Sequence, residues 1–227
     1  MDTRVLVGHA VKLAMLAVLA GLYVTGRSRR CYSIVAYLWA ATLGNALTTF
    51  WPEVFFHWDF WVRREAFVSI LQFGVGVEIA VRSLRAFPGA LAAWHRLLVA
   101  SAVFGSSLVV LALPRGADGG ALALPPRMVA ATVWLVTITA MVVAHYRIPL
   151  IDWHRAVLMG LTAYLFVFTT VVSLLAKLGA PAFPRLGLCD ALAYLALMGW
   201  WGHTAWKPEE VWDVSPETLR VLHLEHV

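Results

Sequence analysis

Apolar residues gather along the chain into seven runs of about 17 to 21 residues, separated by short stretches where Pro, Gly or charge concentrates. The runs read as residues 5–25, 32–51, 66–84, 97–113, 128–146, 156–176 and 186–206. Each is long enough to cross a hydrocarbon layer of about 30 Å as a helix. They are apolar nearly all round and lack the period-two alternation of barrel strands, so the pattern predicts α-helices. The expected architecture is all-α: a polytopic membrane protein with a seven-transmembrane-helix bundle over residues 1–206 and a short tail over 207–227. In that tail Ser215 and Pro216 supply the cap and first position of one brief helix.

Composition strengthens the pattern. The hydrophobic share is 61%, the charged share only 14% and the mean hydropathy +0.75, which excludes an ordinary soluble domain. The first run carries Lys12 and no small-x-small cleavage site follows it, so it reads as a retained helix rather than a signal peptide. A net charge of +5 suggests nucleic acid at first sight. The basic residues cap spans instead of lining a soluble helix, and the expected partner is the lipid bilayer. Seven crossings place the termini on opposite sides. Ten Lys and Arg fall on the side of loops one, three, five and the tail, against eight on the other, which favours an outside N-terminus and a cytoplasmic C-terminus. Cys31 and Cys189 then lie near opposite faces, too far apart for a disulfide.

The stretch TTFWPEVFFHWDFWVRRE, residues 48–65, falls between the second and third runs. Its rings suit the headgroup region, where amphipathic aromatics are stable. The acidic and imidazole groups among them, His57 and Asp59 beside Trp61, suggest in addition a loop that closes over the mouth of the bundle.

Ionisable groups inside spans are costly and need partners, at about 2.5–3.5 kcal/mol each near a helix centre. Lys12, Glu65 and Asp190 all fall in the outer half, so Lys12 is expected to pair with Glu65 or Asp190. Asn45 and Gln72 lie deeper as interhelical hydrogen-bonding groups. Together with His57, Asp59 and Trp61 these are the candidate ligand-binding residues. The competing reading of the same groups is structural glue with a snorkelling lysine. Glu78 and Arg82 are spaced four apart, as an ordinary helix-surface ion pair requires. The small residues Ala36, Ala40 and Gly44, with Gly74 and Gly76, mark close helix packing.

Other chemistries are weaker. The last span has no lysine for a retinal Schiff base, and Ser106 and Ser107, with His203 available, lack the Gly-x-Ser-Gly setting of an intramembrane serine protease. No phosphate-binding loop or paired-cysteine motif occurs. His95, His145, His154 and His203 begin or end spans on the cytoplasmic side and form the candidate set for haem or a transition metal. The tripeptide Trp-His-Arg occurs at 94–96 and again at 153–155. It reads either as a duplicated helix pair or as two interfacial anchors.

Residues 51–90, with Pro52, Phe55, Phe56, Phe60, Trp61, Glu65, Phe73, Glu78, Arg85 and Pro88, resemble a family of bacterial seven-span integral membrane proteins to which no activity is assigned. The resemblance implies a bacterial inner-membrane setting. Two functions follow as expectations. One is a non-enzymatic sensor or accessory subunit that binds a small apolar ligand or lipid in the bundle and works through a cytoplasmic protein partner at the tail. The other is a membrane redox or lipid-modifying enzyme built on the four histidines. A transporter ranks third, because the odd span count shows no inverted repeat.

Overall fold

Six of the seven apolar runs fall within the region that the computed structural model describes, residues 3–85, 104–105, 124–145, 148 and 150–208, and each is a helix there. The run 97–113 and nearly all of the tail lie outside the described residues. The helices are α1 (Thr3–Val24), α2 (Tyr32–Phe50), α3 (Pro52–Phe55), α4 (Trp58–Arg85), α5 (Leu124–His145), α6 (Asp152–Leu178) and α7 (Phe183–Trp206). Among the described residues there is no strand. Four segments, Val5–Val24, Trp58–Ser83, Arg127–His145 and Asp152–Leu178, are long and apolar enough to cross a membrane. The described residues thus form an all-α bundle with helices of membrane-spanning character. Helices α2 and α7, with 19 and 24 residues, have comparable length.

Backbone chemistry sets the breaks. Gly26, with φ 71°, takes the left-handed conformation between α1 and the 3₁₀ turn Arg27–Arg30. Gly179, with φ 73° and ψ −169°, ends α6 in an extended positive-φ conformation that likewise favours glycine. Pro52 stops α2, because the residue before a proline is driven out of helical conformation; Trp51 sits at φ −131°, ψ 60°. The same proline opens the single turn α3 at its first position.

The long helices close a ring in chain order: α1 packs on α2, α2 on α4, α4 on α5, α5 on α6, α6 on α7, and α7 returns to α1. Inside it lie Met15, Val18, Leu22, Leu38, Val136, Leu161, Leu165, Met198 and Trp201, all essentially buried. Outside it, large apolar side chains such as Leu13, Trp134, Met141, Met159 and Phe166 are exposed. That inversion is what a lipid-facing surface produces.

Two expectations change. The stretch 48–65 is not a loop: α3 and the first two turns of α4 are built from it. Helix α4 has 28 residues, about 42 Å of rise, so it outruns a 30 Å hydrocarbon layer. Hydropathy registers only the part of a helix that is apolar, whereas its backbone hydrogen bonds continue through Asp59, Arg63, Arg64 and Glu65. Asp59 in the first turn also favours that start electrostatically. The small-residue stripe on α2 is likewise narrower than its spacing implies. Gly44 is buried, but Ala36 is exposed.

Candidate functional site

Two polar clusters interrupt the apolar interior, one near the Pro52 end of the ring and one near Cys31. At the Pro52 end, Gly44 on α2 leaves room for Arg64 of α4, whose Nε would collide with any Cβ placed there. The Arg64 guanidinium donates to Asn45 Oδ1 at 2.7 Å. Glu65, the next residue, interacts electrostatically with both Arg64 and Asp190. Across the ring Tyr164 is coupled electrostatically to Asp190 and meets Tyr194 edge to face with ring centroids 5.2 Å apart. The Tyr194 and Tyr37 hydroxyls are 3.0 Å apart. Two polar atoms in this cluster are buried without a partner, Arg64 Nε and Asp190 Oδ1.

The cluster therefore unites Asn45, Glu65 and Asp190 from the sequence candidates. Lys12 is placed differently: its Nζ donates to Thr49 Oγ1 at 2.8 Å rather than pairing with Glu65 or Asp190. An ammonium on a flexible stem can reach a hydroxyl near the helix end, where desolvation is smaller. Gln72 is buried two turns beyond Glu65 on α4. His57, Asp59 and Trp61 are exposed and stand apart from the cluster. Trp61 stacks on Trp58 with centroids 5.3 Å apart, and His57 lies against Phe60. Arg64, Tyr37, Tyr164 and Tyr194 are the members that the sequence reading missed. Their signal was available, since a tyrosine deep inside an apolar run needs a partner for its hydroxyl.

At the other end Cys31 is buried between the 3₁₀ turn and α2. Its Sγ accepts from Trp153 Nε1 at 3.1 Å and lies 3.2 Å from His154 Nε2. Glu78 accepts the Ser33 backbone N–H at 2.9 Å, capping α2, and forms the expected ion pair with Arg82 at 2.6 Å. Glu78, Cys31 and His154 border a cavity of about 10 Å³, enough for one water. Arg27, also buried, closes this end by donating to the Thr204 and Lys207 carbonyls at the end of α7.

The second Trp-His-Arg copy thus supplies core residues. Trp153 is 2% and His154 5% exposed, so neither is an interfacial anchor. The first copy, with His95, lies outside the described residues. His203 is exposed at the end of α7, and His145 at the end of α5. Among the described residues no three His, Cys, Asp or Glu side chains converge in a metal-holding arrangement.

A cysteine beside a histidine has the outline of an activated nucleophile. Here burial pushes the Cys31 thiol up to about 11, the Trp153 donor offsetting only part of that effect. The thiol stays protonated, and the cavity beside it is too small for a substrate. The pair is a buried hydrogen-bonded latch between the start of α2 and the start of α6. No family model, curated protein or solved structure matches the chain.

Proposed function

We propose that this chain is a seven-pass protein of a bacterial inner membrane that binds a small apolar ligand or lipid within its helix bundle and acts as a non-enzymatic sensor or accessory subunit. Its N-terminus is outside and its C-terminus cytoplasmic, where residues 207–227 meet a protein partner. The observation that carries this reading is the cluster of Asn45, Arg64, Glu65, Asp190 and three tyrosines at the Pro52 end of the bundle. Polar groups at such depth carry a large desolvation cost and mark sites more often than ordinary packing does. Exposed rings at Phe50, Trp51, Trp58 and Trp61 flank the same end and form its approach from the headgroup region.

The odd number of crossings has support in the helix directions. Asn45 near the end of α2 meets Arg64 near the start of α4, and Ser33 near the start of α2 meets Glu78 near the end of α4. Helix α4 therefore ends at the Cys31 end of the ring. Helix α5 also finishes there, because only residues 146–151 separate it from α6, whose first turn touches Cys31. The start of α5 is then at the opposite end from the finish of α4. At the ring's closure Gly21 meets Trp206 and Gly202 meets Val18, so α1 and α7 run parallel, as the first and last of seven crossings do.

Native mass spectrometry of the purified chain tests the reading. An apolar molecule retained by the wild type and lost from Glu65→Ala and Asn45→Ala variants supports it. A wild type that retains nothing, or stoichiometric haem or metal in its place, overturns it in favour of an enzyme built on His95, His145, His154 and His203.

A further inference from the structure

We infer that residues 209–225 of this chain dock on the basic face at the Cys31 end of the ring, between Arg29 and Arg155. The inference goes beyond the ligand reading and holds with or without a molecule in the bundle. Three contacts fix where the chain leaves α7. The buried Arg27 side chain donates to the Thr204 carbonyl and, at 2.8 Å, to that of Lys207. Trp206 Nε1 donates to the Ala17 carbonyl at 3.0 Å. Lys207 Nζ lies 3.8 Å from Asp152 Oδ2 in the first turn of α6. The chain therefore emerges between the 3₁₀ turn Arg27–Arg30 and the start of α6. Arg29 follows Arg27 by two residues, and Arg155 follows Asp152 by three, one turn along the same helix face. Both are exposed, and among the described residues no hydrogen bond or ion pair engages either side chain.

Charge selects the occupant. With histidines neutral, the described side chains at this end carry Arg27, Arg29, Arg30, Arg82, Arg155 and Lys207 against Glu78 and Asp152, six cations less two anions, an excess of four positive charges. Residues 209–225, which lie outside the described region, carry Glu209, Glu210, Asp213, Glu217 and Glu225 against Arg220, five anions less one cation, an excess of four negative charges. Glu209 and Glu210 follow Lys207 by two and three residues, within about 7–11 Å of it along an extended chain. The first acids of the segment therefore reach the flanking arginines. Tethering also presents the segment at an effective concentration in the millimolar range, which a free anion lacks. One exposed ion pair contributes little, but two arginines on either side of one exit hold the segment by more than one contact. A partner that takes the tail must compete with this face. Anionic lipid headgroups offer the same charge and are the rival occupant.

A nitroxide at Val214→Cys, in a Cys189→Ser background, reports the state of the segment by electron paramagnetic resonance of the full chain in nanodiscs of neutral phosphatidylcholine. The expected spectrum of the otherwise wild-type chain is dominated by an immobilised component. Arg29→Glu with Arg155→Glu should lower the docked-to-free ratio about tenfold, and adding Glu209→Arg with Glu210→Arg should restore it. Salt at about 1 M, with a screening length of about 3 Å, should also mobilise the label. A mobile label in the otherwise wild-type chain, or an immobilised one that neither charge reversal nor salt releases, overturns the inference. Should the reversed arginines prevent folding, Glu209→Gln with Glu210→Gln alters the tail alone and should release the label; a label that stays immobilised there overturns the inference. Nanodiscs rich in phosphatidylglycerol decide between the two occupants. A label held there as in neutral lipid supports the docked tail, whereas release there shows headgroups to be the occupant and overturns it.

Discussion

Replacing Gly160 by alanine tests a close approach between α6 and α7. A Cβ at Gly160 of α6 would lie 2.7 Å from Leu197 Cδ1 and 2.9 Å from Trp201 Nε1 on α7. Neither neighbour can give way freely. Trp201 is fully buried, sits edge to face on Trp153 and donates to the Ala156 carbonyl at 3.2 Å. Forcing a methyl into such a contact costs about 1–3 kcal/mol, and displacing the indole from Ala156 adds about 0.5–1.5 kcal/mol. Helix propensity works in the opposite direction, favouring alanine over glycine by about 1 kcal/mol. The balance is a net destabilisation of about 0.5–3.5 kcal/mol. Gly199 on α7 is the matched control, since a Cβ there meets nothing within 4 Å. Gly199→Ala should gain up to about 1 kcal/mol from propensity alone. Thermal unfolding in detergent, followed by circular dichroism, measures both. If Gly160→Ala melts as high as Gly199→Ala, the tight α6–α7 contact is wrong.

The thiols should separate in reactivity. With Cys31 at about 11 against an ordinary 9.0, its thiolate fraction at pH 8 is about a hundredfold lower than that of an unperturbed thiol. Maleimide should therefore label the exposed Cys189 and reach Cys31 only on unfolding, and equal rates by mass spectrometry would refute the buried latch. Because the folded state holds this proton more tightly, its contribution to stability is complete below about pH 9 and is lost as pH rises through about 11. Arg27→Lys keeps the charge but cannot fork onto the Thr204 and Lys207 carbonyls together, so a loss of about 1.5–3 kcal/mol is expected in the same thermal assay. An unchanged melt would mean that the α7 end is not tied by Arg27. Asn45→Leu leaves Arg64 without its acceptor and should cost about 1–3 kcal/mol, while the double variant with Arg64→Met should recover most of it. Additive losses in that cycle would show that the two side chains do not interact.

The sequence by itself determined the helical class and most of the helix limits, because both depend on quantities local to the chain. Apolar runs of spanning length must satisfy their own backbone groups within a helix, and Gly26, Pro52 and Gly179 end helices through their own φ restrictions or freedom. The Glu78–Arg82 pair was legible for the same reason, since four residues is one helical turn. What the tertiary structure decided is which faces meet. Lys12, Glu65 and Asp190 share a depth in the bundle, but depth does not specify azimuth. Ring order sends Lys12 to Thr49 and puts Arg64, freed by the missing side chain of Gly44, beside Asn45. Cys31 and His154 are more than a hundred residues apart and meet only because α2 and α6 begin at the same end of the ring. Contacts between helices depend on rotation about each axis, a variable on which a hydropathy pattern nearly uniform around the helix carries little information.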